Sequence, residues 1–250
     1  METSKEPQVL LVAAMTAYMT DCMAGHDPSH NPTHVHRVVS LAHRILAGEL
    51  ARHPDTAPSR YDKTVVTLAA TLHDIGDHKY LSHAAAAGGT GTAHSDTSTA
   101  IDPKQMVYNA LMSHGADATL AERVQTIVTN VSYTNEVKNP EKIRALIAQP
   151  GYHELAIVQD ADRLDAIGAV GIARTFTYLG CRGFSKRENL PSSPMMTWEL
   201  DESIAHFGEK LEKLESMMKT ETGREMARER TRRLQQFKAW WIEETAPFAM

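Results

Sequence analysis

Histidines and aspartates stand on the apolar faces of three predicted helices. His34 begins a stripe in which apolar residues recur every three or four positions. His73 ends the next such stripe, with Asp74 beside it, in the segment LHDIGDHKY. Asp162 and Asp165 lie on the apolar face of VQDADRLDAIGAV. Burying an unpaired carboxylate is costly, whereas a divalent cation binds carboxylates and imidazoles together, so the three faces indicate a metal site.

Each of these residues taken alone has a simpler interpretation. A single histidine on an apolar face is usually a hydrogen-bonded core residue, and an aspartate near Arg163 or Arg174 is often held by an ion pair. Most of the other histidines, His206 among them, have no carboxylate in a matching register or lie in predicted loops, which favours structural or solvent-facing positions. It is the combination of the three faces that favours metal binding.

The elements that must carry these faces are helices. Apolar residues recur at helical spacing along most of the chain, and alternating strand-like runs are rare, which predicts an all-α fold. Asn31 or Pro32, the stretch 59–62 and Thr222 provide start signals for three helices. The predicted helices span residues 7–24, 32–53, 62–78, 104–114, 119–133, 141–149, 152–180, 199–220 and 223–245.

Two segments interrupt the helical pattern. Residues 83–99 are rich in Ala, Gly and Thr, and residues 180–194 are rich in Gly, Pro and charge, so both are predicted to be loops. The loop that follows LHDIGDHKY is either a lid over the site or a surface insertion. The last two predicted helices carry apolar stripes among their charges, which favours a packed helical hairpin over a nucleic-acid-binding arm.

Composition and charge limit the class of partner. The chain has 250 residues and 42% hydrophobic composition, and it is predicted to form one domain over residues 1–250. Its motif core lies at about 25–180, with the C-terminal helices 199–245 packed on it. The net charge of -5 gives no reason to expect nucleic acid or an anionic membrane, so a small molecule is the expected partner. Two separated cysteines and an N-terminus unlike a signal peptide favour the cytoplasm, and a homodimer stays open.

The order of the ionisable residues resembles that of a known family. His34, the pair His73 and Asp74, and Asp162 resemble the H…HD…D pattern of the HD-domain superfamily, all-α metal-dependent phosphohydrolases. The resemblance implies that these four residues bind the metal, with Asp162 rather than Asp160 as the last ligand. It also implies an HD-domain helical bundle, to which the C-terminal helical hairpin is added.

Two longer segments extend the resemblance. DPSHNPTHVHRVVSLA (27–42) and DADRLDAIGAVGIARTF (160–176) are similar to a branch of small stand-alone hydrolases from bacteria and fungi, and the similarity covers about residues 25–240. The family's ligands suit one divalent cation, Mn²⁺ first, with Fe²⁺, Co²⁺, Ni²⁺, Zn²⁺ or Mg²⁺ as alternatives. Further histidines that two-metal members carry are missing, so His30, one turn before His34, is expected to support a ligand or to contact the substrate.

The remaining site residues are expected to serve the substrate. Asp77, one turn after His73, is placed to exchange a proton with water or with the leaving oxygen, although many family members have Glu there. Asp165 is expected either to support a ligand or to face the substrate. Cationic side chains are expected to neutralise an anionic substrate, or else to form structural ion pairs, and they are Lys79, Arg37, Arg163 and Arg174.

The resemblance implies hydrolysis of a phosphate ester or phosphoanhydride in a small substrate, and a nucleotide is the first expectation. The branch it points to suggests removal of pyrophosphate from nucleoside triphosphates. One alternative is a di-iron oxygenase, which needs about six protein ligands. Another is an inactive HD protein that binds a nucleotide or a partner protein.

Overall fold

The computed structural model describes residues 5–75, 102, 105–189 and 200–246, with the backbone alone for residue 5 and for residues 182–189. All regular elements of this part of the chain are helical, so the predicted all-α class and helical bundle are confirmed. A 3₁₀ segment, Leu211–Met217, lies between the last two α-helices. The α-helices are α1 (Lys5–Met23), α2 (Pro32–Arg52), α3 (Ala57–Arg60), α4 (Lys63–Leu72), α5 (Met106–Ser113), α6 (Ala118–Thr129), α7 (Tyr133–Lys138), α8 (Pro140–Ala148), α9 (Glu154–Asp165), α10 (Gly168–Asn189), α11 (Leu200–Glu209) and α12 (Glu221–Thr245).

The centre of the bundle is formed by α2, α4 and α9. Helix α9 packs against both α2 and α4, and α2 and α4 also pack against each other. Apolar side chains fill the space between these helices, and fully buried examples are Val38, Leu68 and Leu155. Each fully buried aliphatic side chain contributes about 1.5–3 kcal/mol relative to an exposed one, so the packing fixes the polar side chains on the same faces.

Side-chain caps set where the helices of the site begin. Asn31 precedes α2 and its Oδ1 accepts hydrogen bonds from the backbone N–H of Thr33 and His34 at 3.1 and 3.3 Å. Asp62 caps α4 in the same way, so both of these predicted starts are right. The cap of α12 is Thr220, not Thr222, because the Thr220 hydroxyl is the one that reaches the backbone N–H of Gly223.

Helix α4 ends earlier than the predicted 78. Its last helical residue is Leu72, and residues 73–75 form a turn in which the N–H of Ile75 donates to the carbonyl of Leu72. The His73 side chain takes part in this ending, because its Nδ1 donates to the carbonyl of Ala70 at 2.8 Å. Residues 76–78 and the predicted loop 83–99 lie outside the described residues.

The predicted helix 152–180 is two helices. Gly168 has φ +73, a left-handed conformation that favours glycine, and it separates α9 from α10. A Cβ atom at Gly168 would lie 3.0 Å from the side chain of Arg230, so space as well as conformation requires glycine. Helix α10 then continues to Asn189, so the predicted loop 180–194 is wrong for its first ten residues. Its glycines are tolerated at about 1 kcal/mol each, and its charged residues are good helix formers.

The C-terminal helices pack on α10 through an aromatic cluster. The ring centroids of Phe176 and Phe207 are 6.4 Å apart, and those of Phe176 and Phe237 are 6.1 Å apart. Trp241 adds a ring 5.9 Å from Phe176, and its indole N–H donates to Asp201 at 2.6 Å. The predicted helix 199–220 is α11 followed by the 3₁₀ segment. Among the residues described, none of the helices is long and apolar enough to span a lipid bilayer.

Candidate metal centre

Four side chains from three helices meet at one point. His34 comes from α2, His73 and Asp74 from the end of α4, and Asp162 from α9. The Nε2 atoms of the two histidines are 3.2 Å apart. Asp74 Oδ2 lies 3.4 Å from both Nε2 atoms, and Asp162 Oδ1 lies 3.6 Å from that of His34 and 3.7 Å from that of His73. The structure therefore brings together the four residues predicted as metal ligands.

Hydrogen bonds behind the two imidazoles fix which nitrogen faces this point. His34 Nδ1 is 2.8 Å from Asp165 Oδ2, and His73 Nδ1 is 2.8 Å from the carbonyl oxygen of Ala70. A carboxylate and a carbonyl accept hydrogen bonds and cannot donate them, so each Nδ1 carries the proton. In the neutral imidazoles both Nε2 lone pairs then point into the cluster.

The cluster fits a divalent cation. Two nitrogen lone pairs and two carboxylate oxygens converge, and Asp74 Oδ2 is buried without a hydrogen-bond partner. Acceptors this close repel one another unless a positive charge lies between them. Ligand bonds of about 2.0–2.2 Å separate neighbouring ligand atoms by roughly 2.8–3.6 Å, and the distances here run from 3.2 to 3.7 Å, within that range or about 0.1 Å beyond it. Of these residues, His34, His73 and Asp162 offer ligand atoms that all lie within 4.8 Å of one another.

The electrostatics show the same need for positive charge. Burial alone would lower the pKa of His34, but its hydrogen bond with Asp165 and the nearby carboxylate of Asp74 raise the pKa above the ordinary value. Burial would raise the pKa of Asp74, but the neighbouring imidazoles of His73, His34 and His30 hold it well below the usual range. The site therefore favours a cation among its ligands.

Asp165 holds His34 from behind. Its carboxylate is buried and accepts hydrogen bonds from His34 Nδ1, from Arg37 Nε and Nη2 at 2.7 and 2.9 Å, and from Arg174 Nη1 at 3.0 Å. Burial would raise its pKa, but the bonds from His34 and Arg37 bring the pKa far below the usual range. Of the two roles expected for Asp165, the geometry supports the ligand-supporting one, because its side chain does not line the cavity described next.

A cavity of about 580 Å³ opens on the four ligands. The acidic residues among its described lining are Asp74 and Asp162, both in the metal cluster. Besides His34 and His73, the lining has side chains with imidazole, phenol, ammonium or guanidinium groups, and they are His30, Tyr133, Lys138, Arg174, Tyr178, His206 and Lys210. Once a divalent cation offsets the two carboxylates, the cavity favours an anion.

Of the residues predicted to contact the substrate, some line the cavity and others do not. His30 lines the cavity with its ring 5.9 Å from that of His34, and its Nδ1 is 2.7 Å from the Ser29 hydroxyl. Arg174 also lines it, although part of its guanidinium is bonded to Asp165 and to the carbonyl of Ser29. Arg37 does not line the cavity and serves Asp165 instead.

Arg163 is not brought to the centre. Its guanidinium is buried and is hydrogen-bonded to the carboxylate of Glu136 and to the carbonyl of Met217. The substrate contact expected for Arg163 is therefore replaced by a structural ion pair, which the sequence had left as the alternative. Asp77 and Lys79 lie outside the described residues, so their roles stay predictions.

Asp160 is also separate from the cluster, in agreement with the family resemblance, which implies Asp162 rather than Asp160 as the last ligand. Its carboxylate is fully buried and accepts hydrogen bonds from the backbone N–H groups of Lys219 and Thr220 and from the Thr220 hydroxyl. It ties α9 to the start of α12. Asp160 and Asp162 thus have different partners although they are two residues apart.

Several cavity residues were missed by the sequence reasoning. Tyr133 and Lys138 are on α7, a helix that was not predicted separately, and Lys210 follows α11. His206 was assigned a structural or solvent-facing position, but it lines the cavity one turn before Lys210. The spacing of His206 and Lys210, four residues apart at a helix end, was the available signal.

Fold and site together define an all-α protein with an H…HD…D cluster, and the chain belongs to the HD-domain superfamily. It is 34% identical over 219 residues to the uncharacterized protein YpgQ of Bacillus subtilis. The aligned residues cover 88% of this chain and 84% of YpgQ. The crystal structure of YpgQ in complex with ADP matches at a TM-score of 0.63 and 28% identity, over 96% of this chain and 97% of that chain.

A second solved structure shows the same fold. The crystal structure of an HD-superfamily hydrolase from Bacillus thuringiensis matches at a TM-score of 0.60 and 24% identity, over 96% of this chain and 100% of that chain. No protein-family model matches the sequence.

Proposed function

We propose that this protein is a metal-dependent phosphohydrolase that cleaves a phosphate ester or phosphoanhydride in a nucleotide. The observation that carries the proposal is the convergence of the two Nε2 atoms, Asp74 Oδ2 and Asp162 Oδ1 at one end of the cavity. Among the described residues that line the cavity, the only acids are the two proposed metal ligands Asp74 and Asp162, so the cavity suits an anionic substrate.

The residues of the site have different proposed roles. His34, His73, Asp74 and Asp162 would hold the cation, which when bound supplies Lewis acidity toward a phosphoryl oxygen and lowers the pKa of water. Asp165 keeps the His34 ring oriented, with Nδ1 protonated and Nε2 facing the cluster. Arg174, at the cavity wall, places positive charge beside the bound phosphate.

Asp77 and Lys79 complete the proposal from the sequence. Both follow Asp74, a proposed ligand, within five residues of the sequence. A carboxylate there exchanges a proton with water or with the leaving oxygen, and an ammonium group neutralises charge that develops on the phosphate. We assign these roles to Asp77 and Lys79 respectively.

Two observations support a nucleotide as the substrate class. YpgQ has been crystallised with ADP. The cavity volume of about 580 Å³ lies within the range of about 300–1,000 Å³ that is usual for small-molecule sites. Within this class we propose nucleoside triphosphates and release of pyrophosphate, with Mn²⁺ as the first metal to test.

The test is a turnover screen with metal-free protein and added Mn²⁺, Fe²⁺, Co²⁺, Ni²⁺, Zn²⁺ or Mg²⁺. Nucleoside mono-, di- and triphosphates are offered, and phosphate and pyrophosphate are measured separately. Activity should depend on the metal and disappear in His73→Ala. A protein that hydrolyses none of these compounds with any of the metals would refute the proposal, and two irons per chain would favour the oxygenase alternative.

A further inference from the structure

Helices α2 and α12 pack against each other and bring arginines to one part of the surface. The two helices approach closely, because a Cβ atom at Gly48 would lie 2.4 Å from the hydroxyl oxygen of Thr222. Near this contact the guanidinium of Arg52 is hydrogen-bonded to the carboxylate of Glu225, so cation and acid are paired there. Further along both helices the arginines outnumber the acids.

Three arginines lie close together at this part of the surface. Arg44 is on α2, one turn before the contact with α12, and Arg230 and Arg233 are one turn apart on α12. Burial lowers the pKa of Arg230, the carboxylate of Asp165 raises it, and the charges of Arg44 and Arg233 lower it. An electrostatic effect of this kind weakens with distance, so the three guanidinium groups are neighbours. We call Arg44, Arg230 and Arg233 the arginine cluster.

The arginine cluster is separate from the candidate metal centre. None of its three residues is among the described residues that line the cavity. Its link to the centre is indirect, because Arg230 Nη1 donates a hydrogen bond to the carbonyl of Leu164, the residue before Asp165. Asp165 in turn holds the ring of His34.

The acids near the arginine cluster do not balance its charge. The buried carboxylate of Asp165 already accepts hydrogen bonds from the three side chains described above. Glu229 is bonded through both oxygens to Arg232, at 3.1 and 2.9 Å, and shares one of them with Arg233 at 3.2 Å. Arg44 is exposed and has no hydrogen bond or ion pair with any residue that the structure describes. Positive charge is therefore in excess here, although the net charge of the chain is -5.

Arg230 is held in place by its surroundings. Its side chain is half-buried, and a Cβ atom at Gly168 would lie 3.0 Å from its Cγ. The bond to the carbonyl of Leu164 uses one of its N–H donors and leaves others for a ligand. A guanidinium that is already ordered loses little freedom when it binds an oxyanion through two parallel hydrogen bonds.

We propose that the arginine cluster binds a phosphoryl oxyanion, inorganic phosphate or pyrophosphate, at a site distinct from the cavity. Arg230 supplies the ordered guanidinium, and Arg44 and Arg233 approach the anion from the two helices. The bound anion offsets the repulsion among three like charges, and its oxygens match the planar fork of arginine. Binding at this site requires neither the metal nor the proposed hydrolase activity.

The test is a calorimetric titration of metal-free protein with inorganic pyrophosphate. Without a metal ion the cavity presents the carboxylates of Asp74 and Asp162, which repel an anion, so the cavity does not compete. We expect wild type to bind one pyrophosphate per chain. In the double variant Arg44→Gln with Arg233→Gln, the affinity should fall about ten-fold or more.

A matched double variant separates this site from a general effect of net charge. Lys142→Gln with Arg144→Gln removes the same two positive charges from exposed positions on α8, and its affinity should stay within about two-fold of wild type. Pyrophosphate should raise the melting temperature of wild type and of this control more than that of the arginine double variant. The melting temperature of the ligand-free arginine double variant should stay near that of wild type or rise, because repulsion between like charges is removed.

Three results would overturn this site. Equal affinity of wild type and the arginine double variant would place the ion elsewhere, and equal losses in the two double variants would mean that net charge alone explains the binding. Metal-free wild type that binds no pyrophosphate would also exclude the site, while turnover with added metal would still support the hydrolase. Conversely, binding that depends on Arg44 and Arg233 in a protein that hydrolyses no nucleotide would keep this site and refute the proposed function.

Discussion

Replacing Asp165 by asparagine tests whether the orientation of a ligand, and not only its presence, determines metal binding. Asp165→Asn leaves all four proposed ligands in place. It removes the charge that pairs with Arg37 and Arg174, and it allows an amide N–H to face His34 Nδ1. A donor in that position favours the tautomer with the proton on Nε2, which is the atom that must bind the metal.

The size of the effect follows from the contacts. Loss of the group that orients a metal-bound histidine typically weakens metal binding about 10- to 100-fold, or about 1.4–2.7 kcal/mol. Breaking a buried ion pair costs about 3–5 kcal/mol, but the side chain of Arg37 is 32% exposed, so we expect about 2–3 kcal/mol of lost stability. For a chain of this length that corresponds to a melting temperature lower by about 5–10 °C.

The assay is a Mn²⁺ titration of metal-free protein, with thermal unfolding measured in parallel. Asp160→Asn is the matched control, because Asp160 is an equally buried carboxylate on the same helix whose partners are the backbone of Lys219 and Thr220. It should lower stability while keeping the Kd for Mn²⁺ within about two-fold. A wild-type Kd in Asp165→Asn, or an equal loss of affinity in Asp160→Asn, would show that the orientation of His34 by Asp165 does not determine metal binding.

Three further predictions concern metal removal, acid stability and close packing. Chelation should lower the melting temperature by about 5–10 °C, since an ion at 100 times its Kd contributes about 2.7 kcal/mol, and added Mn²⁺ should restore it. Burial would raise the pKa of Glu136, but Arg163 and Lys219 lower it below 4.5, the value in the unfolded chain. The ionised carboxylate therefore stabilises the folded protein above pH 4.5, and this contribution is lost as the pH falls through the pKa of the folded state. Urea unfolding should therefore show Glu136→Gln about 1–2 kcal/mol less stable than wild type at pH 7 and equally stable at the acid end. Gly171→Ala should cost about 1–3 kcal/mol, because its Cβ would lie 2.2 Å from a backbone carbonyl oxygen, whereas Gly180→Ala has open space in the same helix and should be neutral or stabilising.

Each of these predictions has a contrary result. Chelator without effect on the melting curve would mean that the four ligands bind no stabilising ion. A stability difference for Glu136→Gln that is the same at every pH would remove the ion pair as its cause. Equal effects of alanine at Gly171 and Gly180 would contradict the close approach of α10 to the end of α9.

The residues proposed as metal ligands could be predicted from the sequence because the helices that carry them have local apolar stripes. His34, His73 and Asp162 interrupt helical periodicity, and that periodicity is a property of neighbouring residues. The role of Asp165 was left between two alternatives because the stripe places it inward but does not show that Arg37 and Arg174 meet it. Those contacts join residues more than 100 positions apart or cross a helix boundary.

The limits of prediction lie where distant segments meet. The helix 152–180 was predicted as continuous because a single glycine is tolerated in a helix, and neighbouring residues reveal neither the positive φ of Gly168 nor the close approach of Arg230 to it. Lys138 and Lys210 are 72 positions apart, and only the packing of α7 near the end of α11 places them in one cavity. Neither arrangement has a local signal.

If His34, His73, Asp74 and Asp162 form a single divalent-cation site, metal-free protein should bind one Mn²⁺ ion per chain. The binding is measured by titration with Mn²⁺, with the free ion followed by electron paramagnetic resonance. We expect saturation at one ion per chain for wild type and no saturable binding for Asp162→Ala at the same concentrations. Saturation at two ions, or a full complement of Mn²⁺ in Asp162→Ala, would contradict it.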